Sequence, residues 1–109
     1  MLKIKCEGNK LILFSENSAS SFELFDKKYF EVIRKNIESA NKEGCWVSIE
    51  KKSDKRNYLV LSWNEYQKNR RAISPRSMKL VIPDSIAYEI SSRMILLNKS
   101  FKVPERSDG

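Results

Sequence analysis

The feature that most constrains the fold is an order of segments that occurs twice along the chain. In each half, apolar residues first alternate with polar ones and then recur at intervals of three and four. Alternation is typical of strands with one buried face, and the longer spacing is typical of amphipathic helices. The sequence therefore predicts three strands and a helix, followed by three strands and a second helix.

The two helices are predicted at residues 26–41 and 84–99. Asp26 is suited to cap the first helix, and Pro83 stands just before the second, where a missing N–H group costs little. The buried stripe of the first helix is Phe30, Ile33, Ile37 and Ala40, and that of the second is Ile86, Ala87, Ile90, Met94 and Leu97. Both stripes predict helices that cover a sheet.

Six short segments are predicted as strands. They are residues 2–6, 11–14 and 22–25 in the first half and residues 46–51, 58–63 and 78–82 in the second. Gly8-Asn9 is typical of a tight hairpin turn, and the polar residues 53–57 predict a second hairpin loop.

The two halves also align residue by residue at their strand–helix junctions. Phe25, Tyr29, Ile33 and Ile37 precede Ile82, Ile86, Ile90 and Met94 by 57 residues. We therefore expect an α+β fold, with a curved antiparallel sheet covered on one face by two helices. Residues 1–100 are predicted to form one compact domain with two candidate half repeats, 1–43 and 44–100, and residues 101–109 to form a flexible tail.

Positive charge is concentrated in one part of the sequence. Residues 51–79 contain nine Lys or Arg and two acidic residues, an excess equal to the net charge of +7 of the whole chain. Residues 1–50 and 80–109 are each neutral. One interpretation is a solvated face that keeps the protein in solution, and the other is a surface for nucleic acid.

Several function classes lack their usual residues. The chain has no histidine, its three glycines form no phosphate-binding loop, and its acidic residues are scattered singly. We therefore expect no enzymatic activity, no cofactor and no metal site. The N-terminus does not resemble a signal peptide, and Cys6 and Cys45 are expected to be free thiols. These features predict a cytoplasmic protein with no membrane partner.

The candidate binding residues are cations and aromatic rings. Cations hold phosphates and rings stack on bases when proteins bind single strands. Strand register predicts that Trp63 lies in the core and that Trp46 and Tyr58 face outward. The proposed site residues are Lys51, Lys55, Arg56, Lys68, Arg70, Arg71, Arg76, Lys79, Trp46, Tyr58 and Tyr66.

Residues 58–90 carry a resemblance to a known family. A strand ending in Glu65-Tyr66 is followed by a basic span, the strand Lys79-Leu80-Val81-Ile82 and a Pro83-associated helix. This order resembles the transcriptional coactivator family called positive cofactor four, in a superfamily with the Whirly and Pur-type proteins. The resemblance implies binding of single-stranded DNA or RNA across a sheet, with a role in transcription regulation. The basic span lacks the family's glycine-lysine run.

The sequence thus predicts a non-enzymatic protein whose partner is single-stranded DNA or RNA, and it leaves a homodimer open. The alternative is a small interaction or regulatory protein, such as a viral or mobile-element factor, that docks on an acidic protein surface. The same basic residues would serve both roles.

Overall fold

One antiparallel sheet of six strands dominates the computed structural model, which describes the backbone of residues 1–101 and the side chains of residues 1–99. The strands are β1 (Lys3–Glu7), β2 (Lys10–Phe14), β3 (Ala19–Phe22), β4 (Cys45–Lys51), β5 (Asn57–Gln67) and β6 (Ala72–Ile82). The helices are α1 (Lys27–Asn41), which follows β3, and α2 (Asp84–Phe101), which follows β6. The strand order is β3-β2-β1-β4-β5-β6.

This order places two βββα units side by side. Within each unit consecutive strands pair as hairpins, and the units meet where β1 pairs with β4. That seam is short, with Lys3 opposite Trp46 and Ile4 opposite Cys45. The predicted α+β fold, a curved and unclosed antiparallel sheet with two helices, is confirmed.

Burial explains why both helices lie on one face of the sheet. Alternate strand residues such as Ile4, Leu13 and Leu61 are fully buried, and they pack in one cluster with Ile33 of α1 and Ile90 of α2. Asp26 caps α1 as predicted, because its carboxylate accepts hydrogen bonds from the N–H groups of Lys28 (2.9 Å) and Tyr29 (3.2 Å). We call the side of the sheet that the two helices cover the helix face.

The third strand lies earlier than predicted, at Ala19–Phe22 and not at residues 22–25. Phe22 pairs with Leu11, near the first residue of β2, so β2 offers almost no further strand to pair with. Phe25 is consequently 92% exposed, whereas Ile82, its counterpart in the second half, is buried. The offset of 57 residues therefore describes the helices, where Ile33 and Ile90 are equivalent, and not the strand ends.

β5 and β6 are much longer than predicted. The basic span between the predicted strands 58–63 and 78–82 is the outer half of a hairpin that runs without a break from Asn57 to Gln67 and from Ala72 to Ile82. β4 pairs with β5 only as far as Ser62, so residues 63–67 and 72–76 form a two-stranded ribbon beyond the sheet. Beyond Trp63, both sides of this ribbon are largely exposed to solvent, which removes the apolar alternation that identifies a strand in a sequence.

Both cysteines are free thiols on the helix face. Cys45 is buried and Cys6 is half-buried, and burial raises the pKa of each thiol from 9.0 to about 11. They are therefore protonated near neutral pH and pack as small apolar side chains.

This burial predicts a loss of stability at alkaline pH. Below about pH 9 the Cys45 thiol is neutral in both states, whereas between about pH 9 and 11 it ionises only when the chain unfolds, which favours unfolding. Urea denaturation of the reduced protein at several alkaline pH values should show stability falling less steeply with pH in Cys45→Ala than in the wild type. Parallel profiles for the two proteins would contradict the assignment.

In residues 1–101 no helix is long and apolar enough to cross a membrane. The predicted tail, residues 101–109, lies outside the described residues except for the backbone of Phe101, which ends α2.

Candidate nucleic-acid interface

The side of the sheet opposite the helices, here called the open face, carries lysines, aromatic rings, small polar residues and several aliphatic side chains. β1 contributes Lys3 and Lys5, and β2 contributes Phe14, which lies opposite Lys3. β4 contributes Trp46, Ser48 and Glu50, and β5 contributes Tyr58, Val60, Ser62, Asn64 and Tyr66. β6 contributes Ile73, Pro75, Ser77, Lys79 and Val81.

Three rings on the open face each have a lysine ammonium close to the ring. The Nζ atom lies 5.2 Å from the ring centre in the pair Lys5–Phe14, 4.9 Å in Lys3–Trp46 and 5.9 Å in Lys52–Tyr58. These distances are within the range of cation–π attraction. Each pair offers a stacking surface and a cation to the same ligand.

Two of these rings, Phe14 and Trp46, lie in one continuous row across the sheet. Phe14, Lys3, Trp46 and Ser62 lie directly opposite one another on β2, β1, β4 and β5. Neighbouring strands are about 4.8 Å apart, so the row spans roughly 14 Å. The row crosses the seam and thus joins the two βββα units in one surface.

Tyr58, the second residue of β5, is held in place by the β4–β5 turn. Its hydroxyl donates a hydrogen bond to Asp54 Oδ2 at 2.8 Å, and Asp54 also accepts from the N–H group of Arg56 at 2.9 Å. Both hydrogen bonds lower the pKa of the Asp54 carboxyl, and the one from Arg56 has the larger effect. The ring is therefore fixed by an ionised carboxylate at neutral pH.

Two lysines share one carboxylate beside Tyr58. Glu50 Oε1 lies 3.7 Å from Lys52 Nζ and 3.4 Å from Lys79 Nζ. The contact with Lys79 lowers the pKa of Lys52, as expected where two ammonium groups approach each other. One positive charge is left over at this point, and a phosphate would satisfy it.

The basic stretch of the sequence is divided between two ends of the molecule. Lys55 and Arg56 lie in the β4–β5 turn, whereas Lys68, Arg70 and Arg71 lie in the β5–β6 turn. These turns stand at opposite ends of β5, whose 11 residues span about 36 Å. An extended hairpin therefore separates in space basic residues that are close in sequence.

Two of the predicted site residues lie on the helix side of the sheet. Arg76 is opposite Trp63 and pairs with Glu65 at 3.7 Å, and Lys51 is 4.0 Å from Asp84 at the start of α2. Strand alternation explains both positions. Arg76 is an odd number of residues from Lys79 on β6, and Lys51 is an odd number of residues from Trp46 on β4, so each faces the opposite way. Neither residue shares the open face with Trp46.

The ribbon ends in a turn of four residues, Lys68 to Arg71, with Arg71 in the left-handed region at φ 49°. On its open-face side Tyr66 lies opposite Ile73, and these side chains are 62% and 68% exposed. Tyr66 is thus an exposed ring on the strand that leads into a turn with three cations.

The predicted register of the tryptophans is correct. Trp46 is on the open face, and Trp63 packs against the core from the helix face. Trp63 is only half-buried, because β4 stops pairing with β5 at Ser62 and leaves it at the margin of the sheet. Its removal should therefore cost less than that of a fully buried aromatic residue.

Sequence reasoning missed Lys3, Lys5, Phe14 and Lys52. The alternation of Lys3 and Lys5 with buried Leu2 and Ile4 does identify them as facing away from the core. Counting charge over the neutral first half hid them, because one sum over residues 1–50 combines the open face with α1 and the turns.

No family model matches the chain, and no match is found among curated proteins or solved structures. The resemblance of residues 58–90 to the positive cofactor four family has no support from these comparisons. Among residues 1–99, no group of three or more acidic or cysteine side chains is placed to hold a metal ion.

Proposed function

We propose that the protein is a non-enzymatic binder of single-stranded DNA or RNA and that the open face is its binding surface. The observation that carries the proposal is the set of three rings, Phe14, Trp46 and Tyr58, each with a lysine ammonium within 5.9 Å of its centre. Rings accept unpaired bases of any sequence, and adjacent cations hold the phosphates that join them.

The distribution of charge supports an extended ligand. Lys3 and Lys5 lie near the seam, Lys52 and Lys79 lie beside Tyr58, and the ribbon turn adds Lys68, Arg70 and Arg71. A strand that follows β5 would meet cations at both ends and rings between them. The two free thiols fit a reducing compartment such as the cytoplasm.

Fluorescence anisotropy with single-stranded DNA, single-stranded RNA and duplex DNA at several salt concentrations tests the proposal. If about four to six phosphates are contacted, the slope of log affinity against log salt should be about −3 to −4 for a single strand. Duplex should bind more weakly, because its bases are not free to stack on the rings. A flat salt response or a preference for duplex would refute the proposal. Absence of all binding would favour docking on an acidic protein surface.

Trp46→Ala is expected to lower affinity for single strands by about 1–3 kcal/mol, the usual effect of losing one stacking ring. A matched control is Tyr88→Ala, which removes a 76% exposed ring from α2, away from the open face. Anisotropy titrations of both variants at one salt concentration give the comparison. Equal losses, or none in Trp46→Ala, would remove the open face as the binding surface.

A further inference from the structure

A pocket of about 370 Å³ opens on the seam between the two βββα units. It is lined by Met1, Lys3, Phe14, Ser15, Glu16 and Trp46. Five of these residues precede α1 and the sixth begins the second unit, so the pocket exists only where the halves join. Its volume lies at the lower end of the range for small-ligand pockets.

Two aromatic rings, Phe14 and Trp46, line the pocket. The Phe14 ring lies across β1 as far as Gly44, where an added Cβ would be 2.6 Å from Phe14 Cζ. Trp46 lies directly across β1 from Phe14, and Lys3 stands between the two strands that carry the rings. A planar base is the group that fits two rings with a cation between them.

One side of the pocket carries an uncommitted carboxylate. Glu16 lies in the β2–β3 turn, which is held by hydrogen bonds from the N–H group of Ser15 to the Ser18 carbonyl (2.8 Å) and from the N–H group of Asn17 to Ser15 Oγ (3.3 Å). Within the described part of the chain, no hydrogen bond or ion pair engages the Glu16 side chain. An ionised carboxylate only accepts hydrogen bonds, so it selects a ligand edge that donates.

We propose that this pocket binds one base of the single strand and prefers guanine, with Glu16 as the residue that reads it. The inference rests on the proposed function. Guanine presents N1–H and the N2 amino group side by side, and these two donors match the two oxygens of a carboxylate. Thymine and uracil present one N–H between two carbonyl oxygens, which a carboxylate repels. Cytosine and adenine present one amino group beside a ring nitrogen that accepts.

Lys3 would bind the phosphate of the same nucleotide. Its ammonium lies 4.9 Å from the centre of the Trp46 ring, and no carboxylate of the described residues lies within ion-pair distance of it. Guanine would take its place over the ring, and Lys3 would turn to the backbone phosphate. The pocket therefore combines stacking, edge recognition and charge neutralisation at a single nucleotide.

The test uses short oligothymidylates in which one central base is guanine, hypoxanthine or thymine. Hypoxanthine lacks only the N2 amino group of guanine. We expect the guanine oligonucleotide to bind about tenfold more tightly than the thymine one, as for one paired edge contact, with hypoxanthine between them. Glu16→Gln should abolish the difference between guanine and hypoxanthine. It should not lower affinity for the thymine oligonucleotide, because the carboxylate makes no paired edge contact with thymine.

Glu31→Gln is the control, since it removes one exposed negative charge from α1, which covers the helix face. It should retain the guanine preference. If all oligonucleotides bind equally well, the pocket inference is overturned and the proposed function stands. A guanine preference that survives in Glu16→Gln also overturns it. If no oligonucleotide binds at all, the proposed function fails and this inference fails with it.

Discussion

Ile90→Ala is expected to lower the free energy of unfolding by about 2–5 kcal/mol, and Ile33→Ala by a similar amount. Both side chains are 0% exposed and occupy equivalent positions in α2 and α1 against one shared core. Each substitution removes apolar contacts and leaves a cavity that the surrounding side chains fill only in part.

The control is Ile95→Ala, the same chemical change on the same helix as Ile90 at a position that is 55% exposed. It should cost much less, since part of that side chain already contacts water. Urea denaturation followed by tryptophan fluorescence measures all three variants. If Ile95→Ala were as costly as Ile90→Ala, the assignment of the buried helix stripe would be incorrect.

Gly44→Ala is expected to destabilise the protein by about 3 kcal/mol, for two reasons that add. Its φ of 125° lies where side chains are strained by of order 1–3 kcal/mol. In addition, the new Cβ would overlap Phe14, with distances of 2.6 Å to Cζ and 3.1 Å to Cε1. The ring must move away, so binding of single strands should weaken as well.

Gly8 offers a matched control, because its φ is also positive, at 61°, and no atom lies within 4 Å of an added Cβ. Gly8→Ala should cost only the backbone strain, about 1–2 kcal/mol. Combining Phe14→Ala with Gly44→Ala should make the second change less costly than it is alone. Chemical denaturation of the single and double variants gives the coupling. Additive costs would show that Phe14 does not constrain Gly44.

The elements that sequence reasoning located correctly are those with one solvent-exposed face and one buried face. The helices at Lys27–Asn41 and Asp84–Phe101 have apolar stripes at helical spacing, and Asp26 provides a recognisable cap. β1 and β4 alternate in the same way, whereas the apolar run of β2 was located by the Gly8-Asn9 turn before it. For these elements burial on one side leaves a period that can be read directly.

The ribbon could not be predicted in this way because, beyond Trp63, neither of its faces is buried. Residues 63–67 and 72–76 pair only with each other, so no apolar period marks them, and their length decides where Arg70 and Arg71 lie. The open face was predicted through Trp46 and Tyr58 but not through Phe14, which ends a continuous apolar run and so carries no sign of which face it takes. Only the sheet order brings Phe14 near Trp46, and the order depends on contacts distant in sequence.

The short seam has a consequence for the order of events in folding. All other strand pairings join consecutive strands, so each unit can assemble from contacts that are near in sequence and therefore fast to form. The seam, in contrast, pairs Lys3 with Trp46 and Ile4 with Cys45, and these residues are about 40 positions apart in the sequence. Phe14 and Trp46 come from opposite sides of that pairing. A chain with only one unit assembled would have only part of the aromatic row, so a ligand that contacts both Phe14 and Trp46 requires the seam to be formed.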